Sequence, residues 1–193
     1  MDDKYGLQED IGIVISGLNE LSKNVGVIES AAKLIADSLS QGGCVYFCGN
    51  GGSAADSQHW AAELTGRFNF TRRAYRAIAL TVDTSALTAI GNDFGFENVF
   101  SRQVEGLARK NDVLVGITTT GNSKNVVEAA KAMKSIGGHI IGFSGPKVGA
   151  LDQYADILIR AEASRTDLVQ DIQVVIGHSI CKITEQLLVE LER

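Results

Sequence analysis

The sequence predicts an α/β protein: a three-layer, doubly wound parallel sheet of about five strands, with helices ahead of the first strand. Three observations carry this expectation. Five short runs, CVYFCG, AIALT, DVLVGIT, HIIGFSG and ADILIR, are apolar almost throughout instead of alternating, as strands covered on both faces are. Segments with apolar residues at helical spacing separate them, which gives the strand–helix alternation of a parallel sheet. A single proline, Pro146, and no internal linker leave residues 1–193 to be read as one domain with a helical N-terminal extension over about 1–42.

In chain order, IGIVISGLNELSKNVG (11–26) and VIESAAKLIADSLSQGG (27–43) both read as helices, the second stopping at Gly42 and Gly43. The first strand is 44–49, and a helix over about 53–66 follows it. The second strand is 77–81, with a helical stretch after Asp83. The third is 112–118, followed by the helix NVVEAAKAMKSIG; the fourth is 139–145 and the fifth 155–160. A long apolar-striped helix from Asp167 to Leu191 closes the chain. Elements appended to a compact sheet favour packing against a sister subunit, hence a homo-oligomer.

Composition narrows the function classes. With 193 residues, 45% hydrophobic and 21% charged, the chain can bury a substantial core and carries no disorder signature. A net charge of -5, with no run of basic residues among the eighteen Lys and Arg, argues against nucleic acid as a partner. No apolar stretch has the length of a membrane span, and the acidic start MDDKYGLQED is unlike a signal peptide. Cys44, Cys48 and Cys181 make neither a CxxC pair nor an even framework. The expectation is a cytoplasmic protein with reduced thiols, no membrane contact and no nucleic-acid contact.

Ligands of open α/β sheets bind at the carboxyl ends of strands, near a switch in strand order. Two such ends are unusual here. After strand one comes Asn50-Gly51-Gly52-Ser53, a turn open to close ligand approach, with Ser53 and Asp56 spaced as a capping box for the next helix. After strand three comes Thr118-Thr119-Thr120-Gly121-Asn122-Ser123, a run of hydroxyls opening a helix, which suits a phosphate monoester. Neither is GxxxxGK[ST] or GxGxxG, so a nucleotide site is disfavoured. A glycine turn of the first kind also occurs in α/β folds with no ligand at all.

The helix behind the first turn carries His59 and Glu63 four residues apart, about 40° from each other around the axis. Such a pair is often a plain surface contact worth about 0.2–0.5 kcal/mol. The last helix, however, carries Gln170 and His178 two turns apart, with His178 in an apolar context. An unpaired imidazole there is costly, although a hydrogen-bonded core histidine satisfies the same pattern. Two of the three histidines thus sit on helices flanking the hydroxyl loops. Two imidazoles, a carboxylate and an amide either coordinate a divalent metal or divide acid and base work.

Four stretches together, CGNGGSAADSQHWAAELTGRF, GNDFGFENVFSRQVEGL, GITTTGNSKNV and TDLVQDIQVVIGH, make the chain closely resemble the bacterial phosphoheptose isomerases of the sugar isomerase domain superfamily, over essentially its full length. The resemblance implies a flavodoxin-like sheet, a homotetramer with active sites between subunits, and interconversion of sedoheptulose 7-phosphate with D-glycero-D-manno-heptose 7-phosphate. It implies substrate binding by Asn50, Gly51, Gly52, Ser53, Asn92, Asp93 and Asp167, with Thr118, Thr119, Thr120 and Ser123 as the phosphate cradle. His59, Glu63, Gln170 and His178 match the family's zinc-binding and catalytic set, Glu63 and Gln170 also touching substrate. Within that set Glu63 is the expected base and His178 its acid/base partner. The chain departs from the family pattern in having three threonines for Ser-Thr-Ser, and Asp171-Ile172-Gln173 where many members read Glu-x-His. The resemblance leaves open the metal's identity beyond a nitrogen- and oxygen-binding ion, and a metal-free acid/base site. The rival readings are a non-catalytic paralogue that binds a replication initiator or senses sugar phosphate, and an isomerase of hexose or pentose phosphates. Retention of both Glu63 and His178 favours the enzyme over the first.

Overall fold

The computed structural model describes residues 3–192; Met1, Asp2 and Arg193, the ends of the expected domain, lie outside the described residues. Among the described residues, seven α-helices and five strands follow one another: α1 (Leu7–Ser22), α2 (Gly26–Ser40), β1 (Val45–Gly49), α3 (Gly52–Thr65), β2 (Ala77–Ala79), α4 (Thr84–Phe94), α5 (Ser101–Leu107), β3 (Val113–Ile117), α6 (Lys124–Ile136), β4 (His139–Ser144), β5 (Ile157–Arg160) and α7 (Thr166–Leu191). The sheet order is β2-β1-β3-β4-β5 and every pairing is parallel. Strand order reverses between β1 and β3, where Gly49 lies opposite Ile117. The turns that leave these two strands therefore part at the switch point, where parallel sheets open a crevice.

The strands are apolar on both faces because helices cover both. Val45, Phe47, Val113, Val115, Ile141 and Phe143 point into one core, which α2, α3 and α7 complete with Ile35, Trp60, Leu64 and Ile176. Tyr46, Cys48, Leu114 and Ile140 point into the other, completed by α5 and α6 through Val104, Val126 and Met133. The alternation of neighbours such as Phe47 and Cys48 follows from the period of two in a strand.

All five expected strands form, each within two or so residues of its expected ends, and β2 is shorter than AIALT. Helix α5 is an addition. Seven residues are too few to show a helical period, and tertiary packing of Val104 under α6 stabilises it. The N-terminal helices are not equivalent. Six residues of α2, Ile28, Ala31, Ala32, Ile35, Ala36 and Leu39, are core residues, so α2 is part of a layer and not an appendage. On α1 only Gly17 is fully buried, while Leu7, Ile11 and Ile15 are exposed along one stripe.

One local expectation fails. Ser53 does not cap α3, and no box with Asp56 forms. Gly51 takes the capping position at φ 57°, ψ -122°, a conformation that a side chain would strain, and the helix starts one residue early at Gly52. Ser53 is thereby turned inward against Gly49, and its carbonyl accepts a hydrogen bond from the Ser57 hydroxyl at 2.8 Å.

Candidate active site at the switch point

The two turns are tied to each other across the switch point. Asn50 Nδ2 donates to Asn125 Oδ1 at 2.8 Å, and Asn125 Nδ2 returns the bond to Asn50 Oδ1 at 2.7 Å. This reciprocal amide pair fixes the start of α6 against the end of β1. Gly52 lets the last helix approach just as closely: a Cβ there would come within 2.7 Å of Gln170 Oε1. The Ser53 and Ala54 amides already donate to the Asn50 and Gly51 carbonyls, so the glycine turn offers few spare N–H groups to an anion.

The threonine loop is better provided. Ser123 precedes α6 in an extended conformation without using its side chain as a cap, so the first amides of α6 receive no side-chain cap from it. Thr118 Oγ1 and Ser123 Oγ lie 3.0 Å apart in a hydrogen bond, and Thr120 Oγ1 accepts from the Asn122 amide at 3.2 Å. Gly121, at φ 71°, makes the bend; a Cβ there would meet Ser144 Oγ and Gly149. Gln173 supports the loop from beneath. It is fully buried on α7 and its Nε2 donates to the Thr118 carbonyl at 3.0 Å, while its Oε1 has no partner.

Thr119, Thr120 and Asn122 share an open cleft of about 260 Å³ with Lys147 and Arg165. Arg165 joins Asp167 to α1: its guanidinium donates to Asp167 Oδ2 at 2.7 Å and to both Asp10 oxygens at 2.8 Å. The hydrogen bond from Arg165 holds the Asp167 carboxyl down at about 2. Neither basic residue stood out in the sequence, because only the fold brings the 145–148 and 161–166 segments beside the threonines.

Behind the turns, α3 and α7 run side by side in the same direction, Gly52 meeting Gln170 and Trp60 packing on Gly177. That crossing joins the predicted side chains of the two helices. His59 Nε2 lies 3.3 Å from Glu63 Oε1 and 3.3 Å from His178 Nε2, and the three ligand atoms all fall within 4.8 Å of one another. Donors around a tetrahedral ion with metal–nitrogen bonds near 2.0–2.1 Å sit about 3.3 Å apart, a spacing that the two contacts from His59 match. Asp56, nearly buried on the same helix face, has its pKa raised by burial, with His59 and His178 close enough to pull it back.

Three expected site residues stand elsewhere. Gln170 is eight residues before His178 on α7, roughly 12 Å by helical rise, and its amide lies against the glycine turn. Asn92 and Asp93 lie exposed at the end of α4, where Asn92 Nδ2 donates to Asp93 Oδ1 at 2.7 Å. Helix α4 buries none of its residues in the chain.

Below the cluster lies a feature that sequence reasoning missed, a buried ion pair. Arg72 and Glu185 are 3% and 0% exposed, with Nε 3.0 Å from Oε1. Burial alone would raise the Glu185 pKa; amide donors from Asn69, Phe68 and Phe70, together with Arg72, reverse this and hold it below the ordinary carboxylate range. Neither residue belongs to a recognisable motif, and 113 positions separate them.

A flavodoxin-ordered parallel sheet with hydroxyl and glycine turns at its switch point defines a class, the SIS domain proteins, whose family profile matches residues 14–145. The phosphoheptose isomerase of Akkermansia muciniphila is 43% identical over 183 residues, which cover 95% of this chain and 96% of that protein. Among solved structures, the phosphoheptose isomerase of Neisseria gonorrhoeae superposes with a TM-score of 0.85 at 41% identity, covering 93% of this chain and 99% of its own. That of Francisella tularensis gives 0.91 at 32% identity, covering 96% and 100%. The chain belongs to the SIS domain family and, within it, to the phosphoheptose isomerases.

Proposed function

We propose that the protein isomerises sedoheptulose 7-phosphate to D-glycero-D-manno-heptose 7-phosphate, feeding the synthesis of heptose-containing glycans such as lipopolysaccharide in the cytoplasm. The observation that carries this reading is the convergence of His59, Glu63 and His178 on the helices behind a hydroxyl-lined cleft. The cluster lies about two helical turns along α3 from the glycine turn, which leaves the length of a sugar chain between that turn and the reacting carbons. A binding module would need the loops but not the acid/base pair.

The reaction moves a proton between C1 and C2 through an enediol. The threonine loop, with Thr119, Thr120 and Ser123, holds the phosphate, and Asn50, Gly51, Gly52, Ser53, Asp167 and Gln170 position the sugar, joined by Asn92 and Asp93 from α4. Glu63 removes the carbon-bound proton, and His178 carries the proton between the two oxygens. Glu63 Oε1 faces His59 at 3.3 Å, which holds the carboxylate beside the acid/base partner. The same three side chains would hold a zinc ion, which when bound polarises the sugar carbonyl. Gln170 joins such a centre only by crossing the distance described above, or from another subunit. The exposed apolar stripe of α1 and the unburied α4 support a homotetramer with sites shared between subunits.

The test is incubation with sedoheptulose 7-phosphate beside fructose 6-phosphate and ribulose 5-phosphate, following aldose formation. Turnover of the heptulose above both others is the expected result. Equal or greater turnover of a shorter sugar overturns the substrate assignment, and none with any of the three favours a binding protein. Metal analysis of untagged protein, with activity after chelation, tests the zinc: full activity in metal-free protein leaves Glu63 and His178 to act alone.

A further inference from the structure

We propose that the buried Arg72–Glu185 pair is a positioning clamp that sets the spacing of His59 and Glu63 on α3 against His178 on α7. The inference rests on the reading of those three residues as the reacting and metal-holding group.

The contacts run to both sides of the cluster. Arg72 Nη2 donates to the Glu63 carbonyl at 2.9 Å, and Nη1 donates to the carbonyls of Leu64, Gly66 and Arg73 at 2.9, 2.8 and 3.0 Å. Glu63 and Leu64 are in the last turn of α3, where carbonyls lack partners within the helix. A fixed cation on those carbonyls holds the turn that carries Glu63 and complements the negative end of the helix. The guanidinium stacks on Tyr75 at 4.2 Å, which limits its rotation.

Glu185 acts on the opposite side. It sits seven residues beyond His178 on α7, two turns on and on nearly the same face. Its oxygens accept from the amides of Phe68, Asn69 and Phe70 at 2.8, 2.6 and 3.2 Å, which fixes the chain after α3 onto α7. The Phe68 ring, held at its own amide, packs 6.1 Å from the His178 ring. One ion pair thus fixes the backbone of Glu63 and the wall beside His178. A hydrophobic pair could fill the same volume, but it would supply none of the seven directed bonds that Arg72 and Glu185 make to backbone groups. Outer partners that orient ligands commonly matter by about 10–100-fold in metal affinity or activity.

Two variants test the clamp, Glu185→Gln and Arg72→Lys. The first keeps shape and loses charge; the second keeps charge and loses the planar fork. Each is compared with the unaltered chain by circular dichroism, by Co(II) titration of the metal-free protein, and by kcat and KM for sedoheptulose 7-phosphate. The expected result is a folded protein with Co(II) affinity and kcat each lower by about 10–100-fold and KM within about twofold, since the phosphate loop lies elsewhere. A folded variant with unchanged Co(II) affinity and kcat overturns the clamp. So does a fall in kcat matched by an equal rise in KM and in thermal instability, the mark of a merely structural pair. If Glu185→Gln does not fold, Arg72→Lys decides by the same readouts, and failure of both to fold also assigns the pair to stability and overturns the proposal. Absence of Co(II) binding and turnover in the unaltered chain is a different failure, that of the functional reading on which the clamp rests.

Discussion

At the residue scale, the site turns on a carboxylate that has company. An i,i+4 His–Glu pair on a helix surface contributes only a few tenths of a kcal/mol, and nothing in His59 and Glu63 alone lifts them above that. Here His178 arrives from a second helix, 3.3 Å from His59, and three donor atoms share one small space. Glu63→Gln keeps the size of the side chain and removes its basicity. The expected outcome is a loss of kcat of about a hundred- to ten-thousand-fold in a protein that stays folded, read by aldose formation alongside circular dichroism. Near-normal turnover would remove Glu63 from the base role. The sequence made this cluster half legible: the residue types and spacings on each helix were visible, but the closeness of the helices was not.

At the element scale, the α3–α7 contact and the threonine loop do different work. Gly177 lies where Trp60 crosses α7, and an added Cβ would overlap the indole. Trp60 has no room to yield, its ring being packed 6.3 Å from Phe47 and 5.1 Å from Phe143. Gly177→Ala should therefore cost about 1–3 kcal/mol, seen as a lowered Tm, and should also disturb the neighbouring His178. An unchanged Tm would show that the helices separate freely. Replacing Thr120 and Ser123 together with Ala should raise KM for the sugar phosphate by more than it lowers kcat, because phosphate contacts remote from the reacting carbons serve ground state and transition state alike. Steady-state kinetics decide, and an unaltered KM would move the phosphate elsewhere. The loop was legible because three threonines before a glycine add little to a plain turn. The capping role expected of Ser53 failed because a glycine with positive φ was available two residues earlier.

At the scale of the whole molecule, burial on both faces of the sheet shapes the chemistry of the thiols. All three cysteines are free and buried. Burial pushes the Cys48 and Cys181 thiols up to about 12, and raises Cys44 as well. A thiol attacks as its thiolate, so at pH 8 the folded protein should resist iodoacetamide, with three equivalents taken up only after denaturation in urea. Quick labelling of the native protein would mean that the cores open readily. No helix among the described residues is long and apolar enough to cross a membrane. Among the apolar side chains left exposed, Leu7, Ile11 and Ile15 form one stripe on α1, and Phe94 stands on α4, a helix that buries none of its residues.

The sequence by itself determined the alternation of strands and helices, the parallel sheet and the two loops at its carboxyl edge. These are local properties: apolar runs, helical periods and glycine or hydroxyl clusters are written in consecutive residues. Tertiary structure alone decided that His59 meets His178, that Gln170 sits over Gly52, and that Arg165 and Lys147 flank the threonines. It alone paired Arg72 with Glu185, 113 positions apart. Such contacts depend on which helices lie side by side, and that is set by strand order and by the fit of a tryptophan against a glycine, neither of which leaves a period in the chain.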